Sequence, residues 1–187
     1  FLAAESRDVM MHVGGLLEFS PPPGKSAGFY KLREEVTGKM TIAPPFNRKL
    51  LHPDLLGSPL QAWVTDDDFD VDYHVRRSAL ASPGDERELG ILVSRLHGTP
   101  LDFHRSPWEA HFIEGLENGR VALYVKIHHA LVDGYTGMRI LQRSLSAAPS
   151  DRTTPLFFNA APREQTKPPR EEEAPTFYYE KLPLPLV

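Results

Sequence analysis

The residues best suited to chemistry are two adjacent histidines, His128 and His129, which are followed by Asp133 and Gly134. Histidine has an ordinary pKa of about 6.5, so a neutral imidazole near pH 7 can accept a proton. Such a base activates a hydroxyl or an amine for attack on a carbonyl carbon. No covalent enzyme intermediate is required when both substrates are bound together and the oxyanion is stabilised. We predict general-base catalysis at this motif, with His129 as the base.

The elements around the motif explain how two neighbouring rings can have different roles. Apolar and other residues alternate over residues 120–127, which is the period of a strand. After Gly134 the apolar residues are spaced as on one face of a helix. Because successive side chains of a strand point to opposite faces, one imidazole can be packed while the other faces a cavity. We place His128 on the packed side, so its predicted role in the catalytic set is mainly structural.

Asp133 and Gly134 complete the predicted site, each with two open interpretations. The carboxylate of Asp133 either orients an imidazole or pairs with an arginine that braces the loop. Gly134 supplies either a positive φ angle or a close approach of the backbone to a bound ligand. We therefore predict His129, Asp133 and His128 as the catalytic set and Gly134 as a ligand-binding residue. No metal ligand is predicted.

Composition limits the classes of protein to which the chain can belong. Its 187 residues suit one domain or one half of a larger enzyme, and 41% hydrophobic with 25% charged residues are globular values. A net charge of −4 gives no basic surface for nucleic acid. No apolar run approaches the length that spans a bilayer. The absence of cysteine excludes disulfides and a thiol nucleophile and fits a reducing cytoplasm.

The remaining patterns predict an α/β (α+β) fold in which helices pack on a mixed or antiparallel sheet. Residues 108–116 and 120–127 flank Glu117, Asn118 and Gly119, which is a strong hairpin signal. Further strands are predicted at 10–19, 63–64 and 69–75, and helices at 29–40 and from a Ser82 cap to Gly98. Residues 1–149 are predicted to form one lobe. The proline-rich residues 150–187 are predicted to be an inter-domain linker and tail.

The His-His-x-x-x-Asp-Gly motif resembles that of the coenzyme A-dependent acyltransferases, which include chloramphenicol acetyltransferase and peptide-synthetase condensation domains. Within this superfamily, the chain resembles bacterial wax ester synthase/acyl-CoA:diacylglycerol acyltransferases, in their N-terminal half. The segments that match in order and spacing are 11–16, 44–46, 69–76, 94–97, 100–102, 105–109 and 113–116. One departure is visible, because the family usually reads Arg-Pro-Leu-Trp-Glu where this chain has Ser106 and Pro107 between Arg105 and Trp108.

The resemblance implies the first half of a two-lobe enzyme, each lobe similar to chloramphenicol acetyltransferase. It implies transfer of a fatty acyl group from acyl-CoA, a co-substrate, to a long-chain alcohol or to diacylglycerol, with no cofactor. The implied partners are these substrates, the C-terminal lobe and a peripheral lipid or membrane surface, and the implied location is cytoplasmic, at membranes or lipid inclusions. In this superfamily the residue at Asp133 usually pairs with an arginine.

Two alternative functions remain open at this point. The first is an acyltransferase that uses a carrier-protein thioester, as condensation domains do. The second is a non-catalytic lipid-inclusion binding module, although the presence of His129, Asp133 and Gly134 together argues against it. Two smaller interpretations also follow. Bracing of the scaffold is favoured over substrate contact for Asp102, Arg105, Trp108 and Glu109. Core packing is favoured over the lining of an acyl tunnel for Met10, Met11, Gly14 and Gly15.

Overall fold

A four-stranded mixed sheet forms the centre of the computed structural model, which describes residues 1–21, 42–148, 151 and 153–158. The strands are β1 (His12–Phe19), β2 (Arg48–Leu50), β3 (Trp63–Thr65), β4 (Val75–Ala79), β5 (Trp108–Glu114) and β6 (Val121–His128). The α-helices are α1 (Val71–His74), α2 (Glu86–His97) and α3 (Gly134–Arg143). Short 3-10 segments lie at Leu2–Ala4 and Glu117–Gly119. The helix predicted over 29–40 lies outside the described residues.

The order of strands in the main sheet is β1-β6-β5-β4, with β2 and β3 forming a separate ribbon. β6 pairs antiparallel with β1 and β5, whereas β4 runs parallel to β5. The predicted mixed sheet and the predicted β5–β6 hairpin are therefore confirmed. The chain reverses at Asn118 and Gly119, whose φ angles of 60° and 69° are those that Asn and Gly tolerate best.

One face of the sheet forms the main apolar core. Trp108 is fully buried there, and its indole N–H donates to the carbonyl of Phe46 at 2.7 Å. Phe157 and Phe158, which lie in the segment predicted as linker, are buried against the same indole ring. This segment therefore begins by packing against the lobe.

The opposite face of the sheet contains buried charge. The ammonium of Lys126 is fully buried and donates to the carbonyls of Leu96 and Thr99, at the end of α2, at 2.8 and 2.7 Å. Its Nζ lies 3.7 Å from Glu109, which also lies 3.5 Å from Arg76. Buried charges need such partners. Glu109 and Trp108 are both buried and held by contacts within the lobe, which agrees with their interpretation as bracing residues.

Two local predictions were wrong because an aspartate caps a helix at each place. Asp70 caps a helix within a predicted strand, and Asp85 caps α2 in place of Ser82. Residues 69–75 are not one strand, since Oδ1 of Asp70 accepts from the backbone N–H groups of Asp72 and Tyr73 and starts α1. The predicted cap at Ser82 is also wrong. Asp85 caps α2 by accepting from the N–H of Glu88 at 2.9 Å, because Gly84 has a φ of 75° and cannot belong to the helix.

Candidate active site

His128 lies at the end of β6 as a fully buried ring. The backbone N–H of Ala130 donates to its Nδ1 at 3.1 Å, so this nitrogen has no proton. Nε2 then carries the proton and donates to Oε2 of Glu5 at 3.2 Å. Burial lowers the pKa of His128 below its ordinary value, which favours the neutral ring that this bonding needs. The predicted packed position of His128 is confirmed.

His129 follows the strand with its backbone fixed and its ring partly exposed. Its N–H donates to the carbonyl of Met11 at 2.9 Å, which ties the loop to β1. The imidazole stacks on the ring of Phe1 with centroids 4.0 Å apart. Its Nδ1 is buried and has no hydrogen-bond partner among the described residues. The two neighbouring rings therefore differ: one has both nitrogens engaged, and the other retains an unpaired nitrogen.

Asp133 has a role that neither interpretation anticipated: it is the N-cap of α3. Oδ1 accepts from the backbone N–H of Thr136 at 2.8 Å, and Oδ2 accepts from its hydroxyl at 3.0 Å. These bonds, the backbone one first, lower the pKa of this exposed carboxyl. Within the described ranges, no imidazole and no arginine forms a hydrogen bond or an ion pair with Asp133. The cap fixes the first turn of α3 directly after residues 129–133, here called the catalytic loop because they contain the predicted base.

Substitutions of Asp133 should therefore affect stability in the manner of a helix cap. Asp133→Ala should lower the melting midpoint, whereas Asp133→Asn should leave it nearly unchanged, because Asn caps a helix as well as Asp does. Turnover should fall about tenfold in the Ala variant, because the start of α3 lies close to His129 and shifts when its cap is lost. Thermal unfolding and initial rates of the complete enzyme measure both effects.

Asp85→Ala is the matched control, because it removes the same kind of cap from α2. It should lower the melting midpoint similarly and leave turnover unchanged. An Asp133→Asn variant with an unchanged midpoint and lost activity would contradict a purely capping role and favour direct orientation of the imidazole.

Gly134 is the first residue of α3, and of its two interpretations the positive φ angle is wrong. Positive φ angles among the described glycines occur at Gly84, Gly115 and Gly119. A β-carbon at Gly134 would meet no atom within 4 Å. Its bare backbone borders an apolar cavity, so the close approach of a ligand remains a prediction.

The cavity beside the catalytic loop has a volume of about 280 Å³. It lies between α3 and the edge of the sheet formed by β1 and β6. The residues that line it are almost all apolar: Val13, Gly14, Gly15, Leu17, Phe46, Val125, Ile127, Val132, Asp133, Gly134, Gly137, Met138, Ile140, Leu141 and Phe157. Gly15 therefore fits the tunnel interpretation, because a β-carbon there meets no atom within 4 Å, whereas a β-carbon at Gly14 would meet the Tyr124 hydroxyl at 2.8 Å and fits the core interpretation. Met10 and Met11 do not line this cavity.

Sequence reasoning missed three residues of this site. Phe46 and Phe157 line the cavity, and Glu5 contacts His128. The aromatic residues reach the cavity from distant segments, for which the sequence carries no local signal. Glu5 is an isolated acid in a segment without strong periodicity, and 123 positions separate it from the ring that it binds.

Two further observations concern the described part of the chain. It contains no group of three or more His, Asp or Glu side chains arranged to hold a metal ion. None of its helices combines the length and the apolar character needed to cross a bilayer.

Comparison with known proteins places this geometry in a family. A putative diacylglycerol O-acyltransferase of Mycobacterium tuberculosis H37Rv is 58% identical over 159 residues, which are 85% of this chain and 32% of that protein. The O-acyltransferase WSD of Acinetobacter baylyi is 42% identical over 148 residues, 78% of this chain and 31% of that protein. The chain thus spans about a third of the length of these relatives.

Solved structures agree with the sequence relatives. The wax ester synthase/diacylglycerol acyltransferase from Marinobacter aquaeolei VT8 superposes with a TM-score of 0.76 at 39% identity, over 84% of this chain and 39% of that one. The first condensation domain of the CDA synthetase, at a TM-score of 0.51 and 20% identity over 71% of this chain and 31% of that one, shares the fold alone. The sequence model of the wax ester synthase/diacylglycerol acyltransferase catalytic domain matches residues 1–181, and the chain belongs to this family.

Proposed function

We propose that the chain is the N-terminal lobe of an O-acyltransferase that moves a fatty acyl group from acyl-CoA to a long-chain alcohol or to diacylglycerol. The observation that carries the proposal is an apolar cavity next to His129 along the chain, although the histidine ring itself is not among the groups that line it. Ile127 precedes the histidines and Val132 follows them, and both side chains line the cavity. An alkyl chain in this cavity would bring its polar end to the catalytic loop.

The proposed chemistry is one acyl transfer with two proton transfers, the first to His129 and the second from it. His129 takes the proton from the hydroxyl of the acceptor as its oxygen attacks the thioester carbonyl carbon. The tetrahedral intermediate collapses, the carbon–sulfur bond breaks, and the imidazolium returns the proton to the leaving thiolate. The products are an ester and free coenzyme A. His128 does not enter this cycle, because both of its ring nitrogens are already bonded to Glu5 and Ala130.

The second lobe is part of the proposal because the described cavity is at the lower limit of size for a ligand pocket and large apolar side chains around it are exposed. Pockets that enclose a drug-sized ligand have volumes of roughly 300–1,000 Å³, and this one has about 280 Å³. Several large apolar side chains around it are exposed, among them Val13 at 43% and Met138 at 57%. Sites of this kind are completed at a domain interface. We propose that the C-terminal lobe covers these side chains and supplies much of the coenzyme A surface, and that the complete enzyme works at a lipid surface.

The proposed substrates can be tested through Gly15, whose missing side chain leaves space in the cavity wall. A β-carbon at this position meets no atom within 4 Å. We expect Gly15→Leu to fill part of the cavity and to raise the preference for octyl over hexadecyl substrates at least about tenfold, because each lost methylene contact costs roughly 0.8 kcal/mol. Ester formation from acyl-CoA and alcohols of both lengths measures the preference. Wild-type enzyme supplied with palmitoyl-carrier protein instead of palmitoyl-CoA should give little ester.

Gly90→Leu is the matched control, because a β-carbon on this residue of α2 also meets open space but Gly90 does not line this cavity. Its chain-length preference should equal that of the wild type. If Gly15→Leu reduces ester formation equally for octyl and hexadecyl substrates, the proposed location of the alkyl chain in this cavity is contradicted. A preference for the carrier protein would contradict the proposed donor.

A further inference from the structure

The carboxylate of Glu5 lies next to the catalytic loop and has no part in the proton transfer proposed above. Its side chain is only 6% exposed. A single oxygen, Oε2, accepts from the backbone N–H of Met11 at 2.6 Å and from Nε2 of His128 at 3.2 Å. A buried carboxylate is costly unless donors satisfy it. These two contacts therefore fix Glu5 in place, and Glu5 in turn fixes both donors.

Each donor is also bonded to the backbone of the catalytic loop. The carbonyl of Met11 accepts from the N–H of His129 at 2.9 Å. Nδ1 of His128 accepts from the N–H of Ala130 at 3.1 Å. Two separate chains of hydrogen bonds therefore connect one carboxylate oxygen to the backbone N–H groups of His129 and Ala130. The ring of the proposed base projects from the first of these residues.

The second chain of hydrogen bonds depends on which nitrogen of His128 carries the proton. Nδ1 can accept from Ala130 only while the proton is on Nε2. A carboxylate facing Nε2 stabilises this tautomer, as hydrogen-bond partners of histidine generally do. If the acceptor is removed, the proton is free to move to Nδ1, where it would face the N–H of Ala130. The loop would then lose its bond to the ring.

We propose that Glu5 is a positioning residue of the reaction: it fixes the tautomer of His128 and thereby holds the backbone that carries His129. This inference rests on the proposed function, in which His129 is the base. The expected contribution is to turnover rather than to binding, because displacing a base by about 1 Å can cost about 10²-fold in rate.

The test compares Glu5→Met with Glu5→Gln in the complete enzyme. Methionine matches the size of glutamate but offers at most a weak acceptor, whereas the amide oxygen of glutamine can replace Oε2. We expect turnover to fall about 10–100-fold in Glu5→Met, with the KM for palmitoyl-CoA within about threefold of wild type. Glu5→Gln should retain turnover within about threefold. Asp8→Ala, which removes an exposed carboxylate three positions away, is the control and should match the wild type.

Nitrogen NMR of isotopically labelled histidine reports the tautomer of His128, which a general loss of stability would not change. In the wild type His128 should have a protonated Nε2 and a bare Nδ1, and in Glu5→Met it should become a mixture of tautomers. A wild-type ring with its proton on Nδ1 would overturn the inference, even if Glu5→Met does not fold. Wild-type turnover in a folded Glu5→Met would also overturn it.

A His129→Ala arm separates this inference from the proposed function. If His129→Ala is inactive while Glu5→Met has wild-type turnover, only the proposed role of Glu5 is contradicted. If His129→Ala turns over at the wild-type rate, the proposal that His129 is the base is contradicted. The tautomer measurement then still reports whether Glu5 orders the loop.

Discussion

Replacing His129 with alanine should reduce turnover of the complete enzyme by about 10²–10⁴-fold, the range for loss of a general base. Folding should survive, because the ring is partly exposed and its Nδ1 has no partner among the described residues. Initial rates of ester formation from palmitoyl-CoA and hexadecanol, with thermal unfolding measured in parallel, test both expectations. A near wild-type rate would remove His129 from the mechanism.

Two other histidines provide the comparison. His52, in the connection between β2 and β3, should be replaceable by alanine without loss of rate. His128→Ala should lower the melting midpoint as well as the rate, because it leaves the buried carboxylate of Glu5 without one of its donors. A stable but inactive His128 variant would move the chemistry to the other ring and would require a new account of its two hydrogen bonds.

The second large effect is expected from separating the lobes. Residues 1–158 produced alone should give no detectable ester from palmitoyl-CoA and hexadecanol, because only one wall of the site is present. The isolated lobe should also be poorly soluble, since exposed apolar side chains around the cavity lack their cover. Adding the C-terminal half as a separate chain should restore part of the activity. A monodisperse lobe that turns over alone would contradict the two-lobe proposal.

The same reconstitution can locate the interface between the lobes. Met138, at the cavity, is 57% exposed, and Ile91, on α2, is 43% exposed. Met138→Glu should prevent the two halves from co-eluting in size-exclusion chromatography, whereas Ile91→Glu should not. Equal behaviour of the two variants would place the second lobe elsewhere.

The core of the site could be predicted from the sequence because its signals are local. Alternating apolar residues identified the strand that ends at His128, and the Asn118-Gly119 turn identified the hairpin that contains it. The strand period alone then separated the environments of the two histidines. These features depend on neighbours a few positions apart, which a single sequence records.

The sequence was less informative where distant segments meet or where two local structures compete. The bond from His128 to Glu5 joins residues 123 positions apart. Phe46 and Phe157 meet with ring centroids 5.6 Å apart, again across most of the chain. Asp133 was misinterpreted for a different reason. Its spacing from Thr136 is that of a helix cap, but its position four residues after His129 is also compatible with a catalytic or an ion-pair role.

Lys126 fixes the register of β6 and thereby determines which of the two adjacent histidines contacts Glu5. Since the pleat repeats every two residues, a shift of β6 by a single position relative to its neighbours would exchange its two faces. His128 would turn away from Glu5, and the ammonium of Lys126 would leave the carbonyls of Leu96 and Thr99 for the apolar core around Trp108. Burying an unpaired ammonium is so unfavourable that this register slip is excluded. A lysine two residues from the motif thus sets the alignment of the strand that delivers the base.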